Sequence, residues 1–361
     1  MMKKLLILFA LLSMAFTAFA QSGHKQAAFH LSFVPPLSTN GRLAGEYTNT
    51  ASFSLLAGLS KNEEAFSLAG LANIVKNDAN GFQIAGLFNI VGHSGHGVEL
   101  SGLANIHGHD YSGVQIAGLY NAVGNNGSGW MLGGLGNLSG KTYRGFQFGG
   151  LGNKAGKING FQLGGLGNIT GDLHGFQFGG VFNVAKDVKG VQFAGVVNIA
   201  ESSDCPIALV NIIKNGEYSI AATYSDIGSA VLSFRSGGRI TYGILGVGYN
   251  HKSDDDGFVL EGGFGAHINV NKWFRLNNEI KAGNIGELSD ADTFYGNYAL
   301  LPAFRVLPGV EIFGGPSINY MQTDNVDNKD MFPSHSIWKE HSDTKLKQVF
   351  FGYQVGVQFV F

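Results

Sequence analysis

The chain has 361 residues, of which 55 are glycine and 7 are proline, with 44% hydrophobic residues and a formal charge of −2. This composition excludes collagen and argues against disorder, and the charge balance offers nothing that would attract nucleic acid. The single cysteine, Cys205, excludes an intramolecular disulfide.

The first twenty residues have the features of a signal peptide. Lys3 and Lys4 precede an apolar run that ends in a small-x-small site at Ala18 and Ala20. We therefore expect residues 1–20 to be removed on export. That removal would take away two lysines and no acids from 24 basic and 26 acidic residues, which leaves a charge of −4. Beyond this run no apolar segment approaches the ~20 residues of a spanning helix, so membrane insertion would require β-strands.

Residues 21–65 are expected to form an N-terminal strand or cap segment, and from residue 66 one short pattern returns nine times. Each copy follows the previous one after fifteen or sixteen residues and carries a glycine three residues before an asparagine, as in FQIAGLFN. The asparagine column comprises Asn73, Asn89, Asn105, Asn121, Asn137, Asn153, Asn168, Asn183 and Asn198, and a worn copy ends at Asn211. A fixed short period indicates a stacked array, which we expect over residues 66–215.

Each repeat is strand-like, with period-two alternation and a polar turn, and it fits two all-β architectures. In a parallel β-solenoid each repeat is one coil, and equal positions stack about 4.8 Å apart. In one large up-and-down barrel each repeat is a membrane strand, and the alternation of Phe82 and Ile84 with Gln83 would also suit that fold. Stacking lets asparagine amides donate and accept along a ladder, which demands asparagine in every coil. We therefore favour the solenoid and keep the large barrel as the alternative.

From residue 216 longer alternating segments predict a C-terminal antiparallel membrane β-barrel over 216–361. Eight strands are expected, at residues 218–225, 229–235, 239–249, 258–269, 273–283, 296–307, 309–321 and 348–361. Short connections such as LPG alternate with long polar ones such as NHKSDDDG. Membrane barrels show this alternation because short turns lie on one side of the membrane and long loops on the other.

Alternation also assigns the two faces of this barrel. In the last strand Phe351, Tyr353 and Phe359 share an apolar face suited to lipid, and Gln354 and Gln358 lie on the other face. A set of charged residues takes the lumen-facing phase: Glu261, Arg275, Glu279, Lys281, Arg305 and Glu311. Eight strands leave room for side chains rather than a water channel, so these charges should pair inside the barrel.

The C-terminal region resembles the outer-membrane β-barrel proteins of Gram-negative bacteria, whose last strand commonly ends in an aromatic residue, as in FGYQVGVQFVF here. This resemblance implies the outer membrane as the location. The array is similar to short surface-exposed repeats of certain bacterial exported proteins, with the pattern G-x-Q-x-x-G-L-x-N. It departs from that pattern at Glu99 and Met131 in the glutamine column, and the resemblance brings no activity with it.

Four histidines in consecutive turns are candidate metal ligands: His93, His96, His107 and His109. His93 and His109 lie one period apart and would stack in adjacent coils, where two imidazoles could hold a divalent metal. The same column continues as Asn77 and Asn125, so turn-forming polar residues account for it without a metal. We expect no cofactor.

The favoured function is a non-enzymatic outer-membrane protein whose barrel anchors the array as a structural or binding surface. Its expected partners are outer-membrane lipid and a glycan, protein or envelope polymer. In the alternative, the repeat strands join the last eight, and seventeen or more strands enclose a transport pore. Catalysis would depend on His335 and His341 in the longest loop, and no hydrolase motif accompanies them. We therefore expect no enzymatic activity.

Overall fold

The structure, a computed structural model, describes residues 25–253, 257–287, 290–324, 330–342 and 345–361. The expected signal peptide at residues 1–20 lies outside these ranges. The chain divides into two compact units, one ending at Gly171 and one running from Asp172 to Phe361. β-strands account for 76% of the described residues, as the alternating sequence predicts.

The first unit consists of short strands joined by tight corners. Its strands are β1 (Lys25–Val34), β2 (Leu37–Ser38), β3 (Tyr47–Ser54), β4 (Ala57–Ser60), β5 (Asn62–Ala69), β6 (Ala72–Val75), β7 (Ala79–Ala85), β8 (Phe88–Val91), β9 (Gly95–Ser101), β10 (Ala104–His107), β11 (Tyr111–Ala117), β12 (Tyr120–Val123), β13 (Gly127–Gly133), β14 (Gly136–Gly149), β15 (Gly152–Gly164) and the first part of β16 (Gly167–Gly179). A 3-10 helix at Gly41–Glu46 interrupts them. Among the described residues no helix is long and apolar enough to cross a membrane.

Apart from β2, which pairs antiparallel with β1, strands of the first unit pair in parallel with the strand one repeat away, and equal motif positions lie opposite each other. Strand β10 pairs with β8 and β12, which puts Asn105 between Asn89 and Asn121. Strand β1 pairs in parallel with β3, and β3 with β5, so the stacking already begins at Lys25. In-register parallel pairing is the arrangement of stacked coils, which confirms the solenoid and contradicts the single large barrel.

Glycines permit the close approach of successive coils. Gly97 has φ +129°, in the left-handed region that favours glycine, and the same column includes Gly81 and Gly113. A Cβ added at Gly97 would lie 2.0 Å from the carbonyl oxygen of Gly81 in the preceding coil. Glycine is therefore required at this position both for its backbone conformation and for the space that it leaves.

The second unit contains further coils followed by the barrel. Its coil strands are the remainder of β16, β17 (Phe182–Val184), β18 (Asp187–Ala194), β19 (Val197–Ala200), β20 (Ser202–Ile207) and β21 (Val210–Ile213). The barrel strands are β22 (Glu217–Ser225), β23 (Ser229–Gly237), β24 (Thr241–Asn250), β25 (Phe258–Asn269), β26 (Phe274–Glu287), β27 (Asp290–Leu307), β28 (Val310–Thr323) and β30 (Leu346–Val360), with the short β29 (Trp338–His341) pairing on β30.

Eight antiparallel strands close the barrel, as predicted. Each pairs with its neighbour in sequence, and β22 pairs with β30, with Ser219 opposite Val360. Side chains alternate in β24, where Tyr242 and Ile244 are buried and Leu245 is exposed. The polar set lies inside and the apolar set outside, as the alternation predicts.

Candidate functional site

Within each unit, the asparagine column forms a hydrogen-bonded ladder inside the coils. Asn105 Nδ2 donates to Asn121 Oδ1 at 2.8 Å, and Asn121 Nδ2 donates to Asn137 Oδ1 at 2.9 Å. The same amide nitrogen also donates to a backbone carbonyl, as from Asn121 to Leu132 at 2.9 Å. In the second unit Asn183 donates to Asn198, and Asn198 to Asn211, each at 3.1 Å. The amide thus uses both its donor and its acceptor to join one coil to the next.

A second amide column runs beside it in the opposite sense. Gln162 Nε2 donates to Gln147 Oε1 at 2.7 Å, and Gln192 donates to Gln177 at 3.0 Å, so these glutamines donate to the preceding coil. Each asparagine donates to the following coil instead. Opposed donation keeps the dipoles of the two columns from adding along the array.

The glutamine column is interrupted where Glu99 carries a buried carboxylate. His107 Nε2 lies 2.7 Å from Glu99 Oε1, and Gln115 Nε2 donates to Oε2 at 3.0 Å. Both side chains of the His107–Glu99 pair are almost fully buried, at 0% and 2% exposed. His107 therefore belongs to the interior of the array. Asn105 faces inward, and side chains two positions apart in a strand share a face, so the sequence alone could have placed His107 in the interior.

Two tyrosines nearby are also buried in this interior, Tyr111 and Tyr143. Burial raises the pKa of the Tyr111 phenol well above its usual range, with a further increase from the Glu99 carboxylate. Burial likewise raises the pKa of Tyr143. The Tyr111 hydroxyl donates to the carbonyl of Gly97 at 2.9 Å. The polar side chains inside the coils are therefore satisfied mostly by one another and by the backbone.

On the outside of the turns, His93 and His109 lie next to each other in adjacent coils, with ring centroids 4.4 Å apart and ring planes tilted by 42°. His93 Nδ1 lies 2.7 Å from Asp78 Oδ1, and His109 Nδ1 lies 3.1 Å from Asn125 Nδ2. Each outer ring therefore has a hydrogen-bond partner in an adjacent coil.

The other two histidines do not join this pair. His96 Nδ1 lies 2.8 Å from Ser112 Oγ, one coil further on, and His107 points inward. Over the described part of the chain, no group of three or more His, Cys, Asp or Glu side chains is arranged to hold a metal ion. The metal site remains a prediction from the sequence that this geometry does not favour.

Inside the barrel, one ionic cluster lies towards the end that carries both barrel termini. Arg235 lies 3.0 Å from Glu279 Oε1, and its Nη1 donates to Gln358 at 2.7 Å. Arg275 lies 2.7 Å from both Glu217 Oε1 and Glu311 Oε2. The remaining members close the network: Tyr242 donates to Glu279 at 2.8 Å, Gln358 to Glu311 at 2.7 Å and Arg305 to Glu311 at 2.8 Å.

A second cluster lies further along the lumen. Lys281 Nζ lies 3.0 Å from Glu261 Oε1, and the Tyr295 hydroxyl donates to Glu261 Oε2 at 2.8 Å. The Lys281 and Glu261 side chains are each 2% exposed. The cavity beside them has a volume of about 10 Å³, which is room for about one water molecule. Side chains therefore fill this part of the barrel.

All six charged residues predicted from alternation take part in these two clusters, although Arg305 lies at the rim with a side chain 40% exposed. Sequence reasoning missed Arg235, Tyr242 and Tyr295. Their inward phase could have been read from the alternation. Their partners could not, because Arg235 and Gln358 are 123 positions apart in the chain.

Within the second unit, the last coils contact the outer wall of the barrel. Phe193 of β18 approaches Phe264 of β25, with ring centroids 6.4 Å apart. A Cβ added at Gly262 would lie 3.1 Å from the Leu209 side chain, and one at Gly243 would lie 2.3 Å from the Leu209 carbonyl oxygen. The two glycines leave space in the outer wall for the terminal coil.

No protein-family model matches the chain, and no curated protein matches it. Two solved structures do. A de novo designed transmembrane β-barrel is 14% identical, with 41% of this chain and 96% of the design covered and a TM-score of 0.24. Neisserial surface protein A is 13% identical, with 40% and 93% covered and a TM-score of 0.22. Neither likeness bears on activity.

Proposed function

We propose that this protein is a non-enzymatic outer-membrane β-barrel protein whose barrel anchors the repeat array as a rigid structural or binding surface. The observation that carries the proposal is the filled lumen. Its two clusters pair four basic with four acidic side chains: Arg235, Arg275, Arg305 and Lys281 with Glu217, Glu279, Glu311 and Glu261. A charge-balanced, packed lumen suits an anchor better than a pathway for solutes.

The outer wall of the barrel supports membrane insertion. Its outward side chains are large, apolar and exposed, as at Leu260, Ile280 and Phe294. Trp273 and Phe304 lie near one end, with ring centroids 6.4 Å apart, where membrane barrels carry an aromatic girdle. An apolar exterior around a polar interior is the inverse of a water-soluble barrel.

The transport alternative would require the repeat strands to form the wall of a larger barrel. The array strands pair in parallel in one sheet, and the barrel strands close antiparallel in another. This separation favours the anchor over the pore.

The test is single-channel conductance of the refolded full-length protein in a planar bilayer, with insertion verified independently by heat-dependent gel mobility. The proposal predicts a silent wild type. A matched variant carrying Glu261→Ser and Lys281→Ser enlarges the lumen without leaving an unpaired charge, and small openings in it would attribute the block to the lumen side chains. Large, stable openings of the wild type would overturn the proposal in favour of transport.

A further inference from the structure

The outer surface of the coils is apolar along one edge. In a representative coil Phe82, Ile84, Leu87, Phe88 and Ile90 face outward, whereas the alternating positions face the interior. We call these five motif positions, in all coils, the apolar edge. Over the nine full repeats the apolar edge contains one charged residue, Lys154. Soluble proteins rarely expose continuous apolar surface of this extent.

Exposed polar residues are concentrated at the other end of each coil, before the first position of the apolar edge. Two residues before Phe82 and its equivalents, every repeat carries a polar residue, as at Asn80, His96 and Arg144. The turn that closes each coil is also polar, as at Asp78 and Asp110. We call these positions the polar base. Polarity therefore changes along each coil from base to edge, as it does across a membrane interface.

The height of the apolar edge matches a single leaflet. From Phe82 the first strand rises three residues to its end at Ala85, and two corner residues lead on to Leu87, a path of at most about 16 Å at ~3.3 Å per residue. The hydrocarbon core of a bilayer is ~30 Å thick, so this distance is about half of it. The apolar edge is thus deep enough for one leaflet and too shallow to span both.

The backbone N–H and C=O groups at the corner are hydrogen-bonded within the array, as contact with lipid requires. Hydrocarbon offers no hydrogen-bond partner, so irregular backbone exposed to it must be satisfied internally. At the corner, Leu87 N–H donates to the Leu71 carbonyl at 2.8 Å, and Leu103 N–H donates to the Leu87 carbonyl at 2.9 Å. Gly86 N–H donates to the Ala69 carbonyl at 3.1 Å. Each corner is therefore hydrogen-bonded to the one before it.

In the second unit the apolar edge is continuous with the lipid-facing wall of the barrel. Phe193 and Leu209 occupy edge positions and lie against the outward side of β25, at Phe264 and Gly262, and Leu209 also lies against Gly243 of β24. The same outward face continues as exposed Leu260. The edge of these coils therefore begins in the layer that surrounds the barrel.

From these observations we propose that the apolar edge of the array is inserted into one leaflet of the lipid membrane, with the polar base at the headgroups. The bound partner of the array is then the acyl chains of the lipid. This proposal rests on the proposed function, because barrel insertion is what brings the array to the membrane.

Trp130 is a native probe of the apolar edge, since it occupies the same motif position as Phe82 and is 47% exposed. Replacing Trp273 and Trp338 with Phe leaves Trp130 as the single tryptophan of the full chain. The protein is refolded into phosphatidylcholine vesicles brominated on the acyl chains, and iodide is the aqueous quencher. Trp130 should lose most of its emission to the brominated lipid and little to iodide.

Two control proteins make the measurement decisive. Trp130→Phe with Trp338→Phe leaves Trp273, at the end of the barrel, which reports barrel insertion. Replacing all three tryptophans with Phe and adding Asn126→Trp places the probe in the polar base, where iodide should quench it and acyl bromine should not. Other coils carry Phe at the position of Trp130, as at Phe82 and Phe146, so Trp130→Phe should disturb the fold little.

Each outcome decides the proposal. If bromine quenches Trp273 while iodide alone quenches Trp130, the barrel is inserted but the apolar edge lies in water, and the proposal fails. If neither quencher reaches Trp130, a second copy of the chain covers the edge, and lipid is the wrong partner. If bromine leaves Trp273 unquenched, the barrel is not inserted, and the proposed function fails together with this inference.

Discussion

The array and the barrel both enclose polar side chains, but they satisfy them with different chemistry. The coils contain neutral amide columns, such as those through Asn105 and Gln162, whereas the barrel contains ion pairs such as Glu261 with Lys281. Parallel in-register pairing places equal motif positions on one another, so a charged column would repel itself. An amide both donates and accepts, and therefore pairs with a copy of itself. Antiparallel pairing brings unlike residues together, which allows opposite charges to meet.

Glu99 shows how the array accommodates a charge. It is the one charged residue in the glutamine column of the nine repeats, and its carboxylate contacts His107 and Gln115 rather than another carboxylate. The difference between the two regions therefore follows from strand direction, and each region can be disturbed in its own way.

The largest effect is expected in the barrel from Lys281→Met, which leaves Glu261 buried without its cation. Removing one partner of a buried ion pair costs about 3–5 kcal/mol of unfolding free energy. The measurement is urea unfolding of the protein in lipid vesicles, followed by gel mobility. Adding Glu261→Gln to Lys281→Met should restore most of the loss, and a single variant as stable as the wild type would contradict the pairing.

In the array the corresponding change is Asn121→Asp, at a fully buried position. A carboxylate cannot donate to Asn137 or to the Leu132 carbonyl, so two hydrogen bonds are lost and a charge is buried, at a cost of about 3 kcal/mol. Hydrogen exchange in coils near residue 121 should accelerate. Asn80→Asp, the same change on the exposed polar base, should have little effect. Equal effects of the two variants would refute the ladder.

Glycine should matter more in the coils than in the barrel wall. Gly97→Ala forces a side chain into a left-handed backbone conformation and against a carbonyl oxygen, and should cost about 2–3 kcal/mol. Gly296→Ala in the barrel meets no atom within 4 Å and should be nearly neutral. Thermal unfolding of both variants tests the contrast, which fails if Gly97→Ala is tolerated.

The smallest effect concerns pH. Burial raises the pKa of Glu63 above its ordinary value, although Asn49 and Ser52 contact the carboxylate within 3.0 Å. Because the folded pKa exceeds the unfolded one, this group contributes stability below the unfolded pKa and loses it as pH rises through the folded pKa. Glu63→Gln should flatten the fall in melting temperature above about pH 4.5. If the melting temperature of Glu63→Gln falls with rising pH as that of the wild type does, Glu63 is not the cause of the fall.

Much of this architecture could be predicted from residue patterns. The eight barrel strands follow from alternation and loop length, and the stacked coils follow from the unbroken asparagine column. The same alternation, counted from the inward-facing Asn105, would have placed His107 inside. Its position among polar turn residues suggested an outer site instead. Two features required three-dimensional information. Strand β1 stacks in parallel on β3 although the repeat motif is absent from this part of the sequence. The hydrogen bond of Arg235 with Gln358 joins residues that are far apart in the chain.

The central claim is that each repeat is one coil stacked in parallel on the next, with Val98 directly opposite Val114. The most direct test replaces both with cysteine in a Cys205→Ser background and oxidises the folded protein in lipid vesicles. Stacked coils predict a disulfide between positions 98 and 114, and none between Val98→Cys and Trp130→Cys, two coils apart. If the thiols at 98 and 114 remain free while both react with maleimide, equal motif positions are not adjacent, and the solenoid account is contradicted.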